Sequence, residues 1–217
     1  MTVQLLAFAA TCLVVIVVPG PDFLLVLRNT VRAGRAGAAW TSAGILLGVF
    51  ILGTAAALGV TALLETSSAV STVVSIAGGI YLVWLGIQSL RSWLRLRREH
   101  AGALVGVKGN HMVKDVGTNR WSCFRQGLLT NLLNPKVVAF YLALFPQFTL
   151  DPLSPVAAHL VLAAAFWILC LLWYVVLVAF IGKLGAVLQR PKVVRRTEAV
   201  AGGALVGLGG VVLVPTP

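Results

Sequence analysis

Long apolar runs, each ended by a short polar stretch, organise this chain. Six can be drawn: Val3 to Leu27, Ala38 to Leu64, Val70 to Leu90, Gly127 to Leu150, Pro155 to Ile181 and Ala199 to Val214. A helix that crosses a bilayer needs about 20 mostly apolar residues. The first five runs meet that length, and the last, at 16 residues, is short. The pattern predicts an all-α polytopic membrane protein with six transmembrane helices. The first run has no basic residues ahead of it and is too long for the apolar core of a secretory signal, so it reads as a span.

Composition narrows the class. The chain has 217 residues, of which 59% are hydrophobic and 11% charged, and its mean hydropathy is +0.97. Roughly a quarter of a soluble domain would be charged. Six spans take up most of the length, so a single transmembrane domain over residues 1–217 is expected and no separate soluble one. Residues 1–90 and 127–217 would each hold three spans, with a loop at 91–126 between them.

Charge then supplies an orientation. Of the 17 Lys and Arg residues, all but Lys136 fall in three alternate connections. The first holds Arg28, Arg32 and Arg35. The long third connection runs from Arg91 to Arg125, and the fifth from Lys183 to Arg196. The other connections and both ends have no base. Cationic loops are retained on the cytoplasmic side, so both termini are expected on the non-cytoplasmic side of a multi-pass protein. The net charge of +11 is therefore a topology signal, and no nucleic-acid partner is implied.

The two halves echo each other. Ala77-Gly78-Gly79 recurs as Ala201-Gly202-Gly203 at an offset of 124, and Pro21-Asp22-Phe23 sits against Pro146-Gln147-Phe148 at an offset of 125. Three spans per repeat force the halves into opposite orientation, the inverted 3+3 arrangement of secondary transporters.

Two predicted breaks carry the candidate chemistry. Pro19, Gly20, Pro21 and Asp22 interrupt the first span, where two prolines remove backbone donors and clash with the preceding turn. Carbonyls freed at membrane depth need protein, water or ligand partners. Asp22 is the one acid well inside a predicted span. A carboxylate there costs about 2.5 to 3.5 kcal/mol to insert, which marks a proton or cation site; the alternative is a cap or solvated residue at the start of a second half-helix.

The fourth span has its own break at Asn134, Pro135 and Lys136, preceded by Thr130 and Asn131. Gln126, Thr130, Asn134 and Tyr141 are spaced to share one helix face. Both breaks lie at similar depth from the basic side, which suggests one shared cavity. Lys136 could snorkel to the headgroups, pair with Asp22, or offer a cation to a carboxylate.

Other features read more plainly. Tyr81, Trp84 and Gln88 form a stripe suited to packing or interfacial anchoring. Gly44-x-x-x-Gly48 and Gly203-x-x-x-Gly207 allow close helix contact, within the chain or in a homo-oligomer, which stays open. His100 and His111 read as loop residues. Cys12, Cys123 and Cys170 have no metal-binding or redox spacing and read as buried small side chains. No cofactor or metal is expected.

At these residues the chain resembles the LysE/RhtB family of bacterial amino-acid exporters. The resemblance rests on Pro19-Gly20-Pro21-Asp22 followed by Arg28-Asn29 and Gly34, and on Ala77-Gly78-Gly79 with Tyr81-Leu82 and Trp84-Leu85-Gly86-Ile87. Its third part is Phe124-Arg125-x-Gly127 leading to Asn131, Asn134-Pro135-Lys136 and Phe145-Pro146-Gln147-Phe148. It implies a secondary carrier of the bacterial inner membrane, not an enzyme, that exports amino acids or close analogues on the proton gradient. Asp22 would contact the substrate ammonium or carry the coupling proton. An exporter of a metal or other cation and a membrane thiol-disulfide oxidoreductase are the alternatives. The first lacks an intramembrane His/Cys cluster, and the second lacks cysteines at matching depth.

Overall fold

A computed structural model describes residues 2–17, 20–66, 68–99, 119–148, 150–181 and 191–213. Pro19, His100, His111, Lys108, Lys114, Lys183 and Arg190 lie outside the described residues. The described chain is helical: α1 (Thr2–Val17), α2 (Pro21–Thr66), α3 (Ser68–Glu99), α4 (Arg120–Leu132), α5 (Pro135–Leu144), a 3₁₀ turn (Phe145–Gln147), α6 (Pro155–Ala179) and α7 (Pro191–Leu213).

Among the described residues two helices are long and apolar enough to cross a membrane, Pro21–Gly59 and Pro155–Ala179. Arg120–Leu132 and Pro135–Leu144, bent by 45° at their junction, make a third if taken as one broken span.

Helices extend further into the basic connections than the apolar pattern predicts. α3 continues through Arg91 to Glu99 and α4 begins at Arg120, so the loop expected at 91–126 is helical at both ends. Arg and Leu are good helix formers and Arg91 to Glu99 contains no Gly or Pro, so the helix has no reason to stop at the end of the apolar run. The first connection is likewise part of α2, which is interrupted only at Ala33 (φ −134°, ψ 18°) and Gly34 (φ 61°, ψ −156°). Gly34 sits in a backbone region that a Cβ disfavours, so the reversal falls on the residue able to make it.

Glycines set the close approaches. A Cβ on Gly44 would strike the Phe124 carbonyl, and one on Gly127 would strike the Thr41 carbonyl, so α2 and α4 cross with backbones nearly touching. Gly44 and Gly48 thus serve contacts inside the chain. Gly203 and Gly207 do not, since nothing lies within 4 Å of a Cβ at either; the close contacts of α7 with α3 come from Gly202 on Gly86 and Gly209 on Gly79.

The same pairs give directions. Thr41 meets Gly127 and Gly48 meets Asn131, so α2 beyond its bend runs parallel to α4. Trp167 Nε1 donates to the Leu46 carbonyl and Thr61 pairs with His159, so α6 runs antiparallel to α2. α3 and α7 are antiparallel. The buried core includes a group of aromatic side chains, Phe8, Phe140, Tyr141, Phe145 and Phe166.

Candidate functional site

Two interrupted helices meet at their breaks. α1 ends at Val17 and α2 starts at Pro21, while α4 ends at Leu132 and α5 starts at Pro135. Each new helix opens on proline, whose missing N–H has no intrahelical partner at that position in any case. A charged residue follows, Asp22 in one and Lys136 in the other. Asn134 caps α5, its Oδ1 accepting from Lys136 N at 3.0 Å, which satisfies one orphan donor of the new helix.

Side chains then tie the breaks together. Asn131 Nδ2 donates to Asp22 Oδ2 at 2.9 Å and Asn134 Nδ2 donates to the same oxygen at 3.1 Å. Lys136 Nζ donates to the Val15 carbonyl at 2.8 Å. Val15 lies in the last turn of α1, where carbonyls lack intrahelical donors and carry partial negative charge, so a cation there is favoured. Lys136 also lines the cavity that Asp22 lines. Its ammonium therefore turns inward, and snorkelling to the headgroups is not what holds it.

The constellation is incomplete. Asp22 Oδ1 and Asn131 Oδ1 are buried with no hydrogen-bond partner among the described residues, as are Gln4 Oε1, Asn29 Oδ1 and Ser42 Oγ elsewhere. Unpaired buried acceptors cost about 1 to 3 kcal/mol each. Beside the first two is a cavity of about 50 Å³, with Gly20, Asp22, Asn131, Asn134 and Lys136 as its polar rim. Its remaining walls include Val15, Val49, Phe166, Cys170, Trp173 and Tyr174. A second cavity, of about 340 Å³, lies between α2 and α6 toward Arg35 and Ala179, and Tyr174 lines both.

The predicted residues divide accordingly. Gly20, Asp22, Asn131, Asn134 and Lys136 converge on the cavity, and Pro21 and Pro135 begin the helices that present two of them. Thr130 and Tyr141 do not line it. The Tyr141 hydroxyl donates instead to the Val49 carbonyl at 3.1 Å, because the 45° bend between α4 and α5 breaks the single face on which the four residues were expected. Gln126 belongs to another cluster, where Asn29 Nδ2 donates to Thr41 Oγ1 at 2.9 Å and to Gln126 Oε1 at 3.4 Å.

One buried polar residue has no motif to announce it. His159, in the second turn of α6, bonds Thr61 and the Phe145 carbonyl. A lone histidine in an apolar run gives no spacing to read, and its partners are 98 and 14 residues away.

All three cysteines are free and buried. Among the described residues no group of three His, Cys, Asp or Glu side chains is placed to hold a metal ion.

Comparison with known proteins agrees with the resemblance. Residues 13–216 match the family model described as LysE type translocator. The chain is 28% identical to an uncharacterised membrane protein of Bacillus subtilis, over 95% of this chain and 96% of that one. It is 32% identical to the threonine efflux protein of Escherichia coli K12, over 72% of each chain. It is 31% identical to the leucine efflux protein of Salmonella choleraesuis, over 65% of this chain and 60% of that one. No solved structure matches. With most of its length matched, and with both helix breaks inside the matched region, this chain belongs to the LysE type translocators, a family of transporters rather than enzymes.

Proposed function

We propose that the protein exports amino acids or close analogues across the bacterial inner membrane as a proton-coupled secondary carrier working by alternating access. The observation that carries this reading is the pair of buried acceptors with no partner among the described residues, Asp22 Oδ1 and Asn131 Oδ1, on side chains that line one cavity together with Lys136. An α-amino acid presents a three-donor ammonium close to a carboxylate. The acceptors suit the first and the lysine the second, while Asn134 holds Asp22 in place. The names of the threonine and leucine efflux relatives put neutral amino acids first among the substrates to try.

The cavity of about 50 Å³ has room for only a few waters. An amino acid needs the walls to part, which favours a carrier that rearranges over an open pore. Access from the cytoplasmic side would pass the larger cavity and Tyr174. Helix directions support six spans in an inverted 3+3 arrangement: α2 runs parallel to α4 and antiparallel to α6, and α3 antiparallel to α7, as alternating spans require. Asp22, the one acid within a predicted span, is the group we assign to the coupling proton.

Efflux from liposomes preloaded with a mixture of amino acids tests the reading. Under an imposed proton gradient, neutral amino acids are expected to leave faster than from protein-free vesicles. No gradient-dependent release of any amino acid would overturn it.

A further inference from the structure

On the far side of the cavity from the basic connections, the packing is aromatic. Phe140 stacks on Phe166 at 4.4 Å, and Tyr141 meets Phe166 edge-on at 5.5 Å and Phe145 at 5.0 Å. Phe166 is also a wall of the cavity, so this layer begins where the site ends. His159 closes its outer edge, its ring parallel to Phe145 within 5° and 5.3 Å away.

The bonds of His159 join three elements at that edge. Nε2 lies 3.0 Å from the Phe145 carbonyl; a carbonyl only accepts, so Nε2 carries a hydrogen. Nδ1, then an acceptor, lies 2.8 Å from Thr61 Oγ1, whose single hydrogen is shared between Nδ1 and the Ala57 carbonyl at 2.6 Å. One histidine, 3% exposed, thereby fastens the outer ends of α2 and α6 to the 3₁₀ turn after α5. Thr61 is 12 residues beyond Val49 on α2, about 18 Å past the site.

Under the alternating-access reading, on which this inference rests, releasing substrate outward requires this layer to part. We propose that His159, with Thr61 and the Phe145 carbonyl, is the latch of the non-cytoplasmic gate. Directional bonds suit a latch better than apolar packing alone: the contact with Thr61 breaks when α6 moves from α2, and the one with the Phe145 carbonyl breaks when α6 moves from the 3₁₀ turn. His159 acts on transport through gate position and does not touch substrate.

Cys170 lines the cavity and supplies a native reporter. In a protein with Cys12→Ala and Cys123→Ala, an impermeant maleimide applied to vesicles of defined sidedness measures access to Cys170 from each face. With His159 intact, labelling from the non-cytoplasmic face is expected to be slow. His159→Ala should speed it about ten-fold, as removal of a bond or two would, with no rise from the cytoplasmic face. Thr61→Val, nearly the same shape, should give a smaller increase in the same direction and stands in if His159→Ala does not fold. Unchanged labelling in both variants, or an equal rise from both faces as in a loosened protein, would overturn the latch. Efflux of neutral amino acids from the same vesicles separately judges the export reading: no efflux with His159 intact sinks that reading, whatever the labelling.

Discussion

The Asp22 and His159 clusters invite comparison, because each joins α2 to second-half helices through buried polar side chains. At His159 both ring nitrogens have partners, and an aromatic ring covers one face. At Asp22 the amides of Asn131 and Asn134 both spend a donor on one carboxylate oxygen, while Asp22 Oδ1 and Asn131 Oδ1 are left over beside a cavity. Burying a polar group without a partner costs free energy, so leftovers imply that something else completes them. On the export proposal, the completed cluster holds helices together and the Asp22 cluster, beside its cavity, is the one that takes a ligand.

The strongest way to break that distinction is Asp22→Asn. It keeps the size but removes the charge that two amides address and that, on the export proposal, meets the substrate ammonium. Hydrogen bonds to charged groups are worth about 1.5 to 3 kcal/mol, so efflux from proteoliposomes should fall about 100-fold. Labelling of Cys170 from the non-cytoplasmic face should stay as it is with Asp22 intact. Thr61→Val reverses the pattern, altering labelling more than substrate binding. Efflux within three-fold of the unsubstituted protein for Asp22→Asn would remove Asp22 from both binding and proton coupling.

A finer test separates the site from the packing around it. A Cβ on Gly48 would lie 2.7 Å from Asn131 Oδ1 and 2.9 Å from Asn131 Cβ. Gly48→Ala must therefore displace Asn131, whose amide bonds Asp22, and efflux should drop about ten-fold, as expected for one charge-assisted bond. Gly203→Ala, with nothing within 4 Å, should leave efflux unchanged and is the matched control. Equal loss in the two variants would mean that glycine content, and not the Asn131 position, sets activity.

Much of the Asp22 cluster was legible in the chain and almost none of the His159 cluster. Proline and asparagine announce helix breaks by local chemistry, so the junctions at Gly20 and Asn134 could be located without neighbours. Asp22 stood out because an acid in an apolar run is costly. Asn131 and Lys136 were legible as candidates, but the direction of Lys136 depended on the free carbonyls of α1, 121 residues away. Tyr141 lies away from the cavity for a geometric reason, since one helical face does not continue across the 45° bend. His159 and Thr61 form a pair only in the fold, and each alone is an ordinary residue in an apolar helix. The helical ends of the long loop escaped because a hydropathy pattern finds where lipid ends, which is not where a helix of Arg and Leu must stop.

The smallest effect concerns the break itself. Pro135 draws the eye, yet at the first position of α5 it removes an N–H that would have had no intrahelical partner anyway. The bend is held instead by Asn134, which caps α5 through Lys136 N and donates to Asp22. Pro135→Ala should thus lower efflux less than about three-fold, while Asn134→Ala loses a cap worth about 1 kcal/mol together with a bond to the carboxylate, and should fall further than Gly48→Ala. The ratio of the two efflux rates in proteoliposomes is the measurement. A Pro135→Ala loss as large as that of Asn134→Ala would show that proline stiffness, and not the asparagine bond, keeps α4 and α5 apart, and the incomplete cluster would then owe its geometry to the backbone.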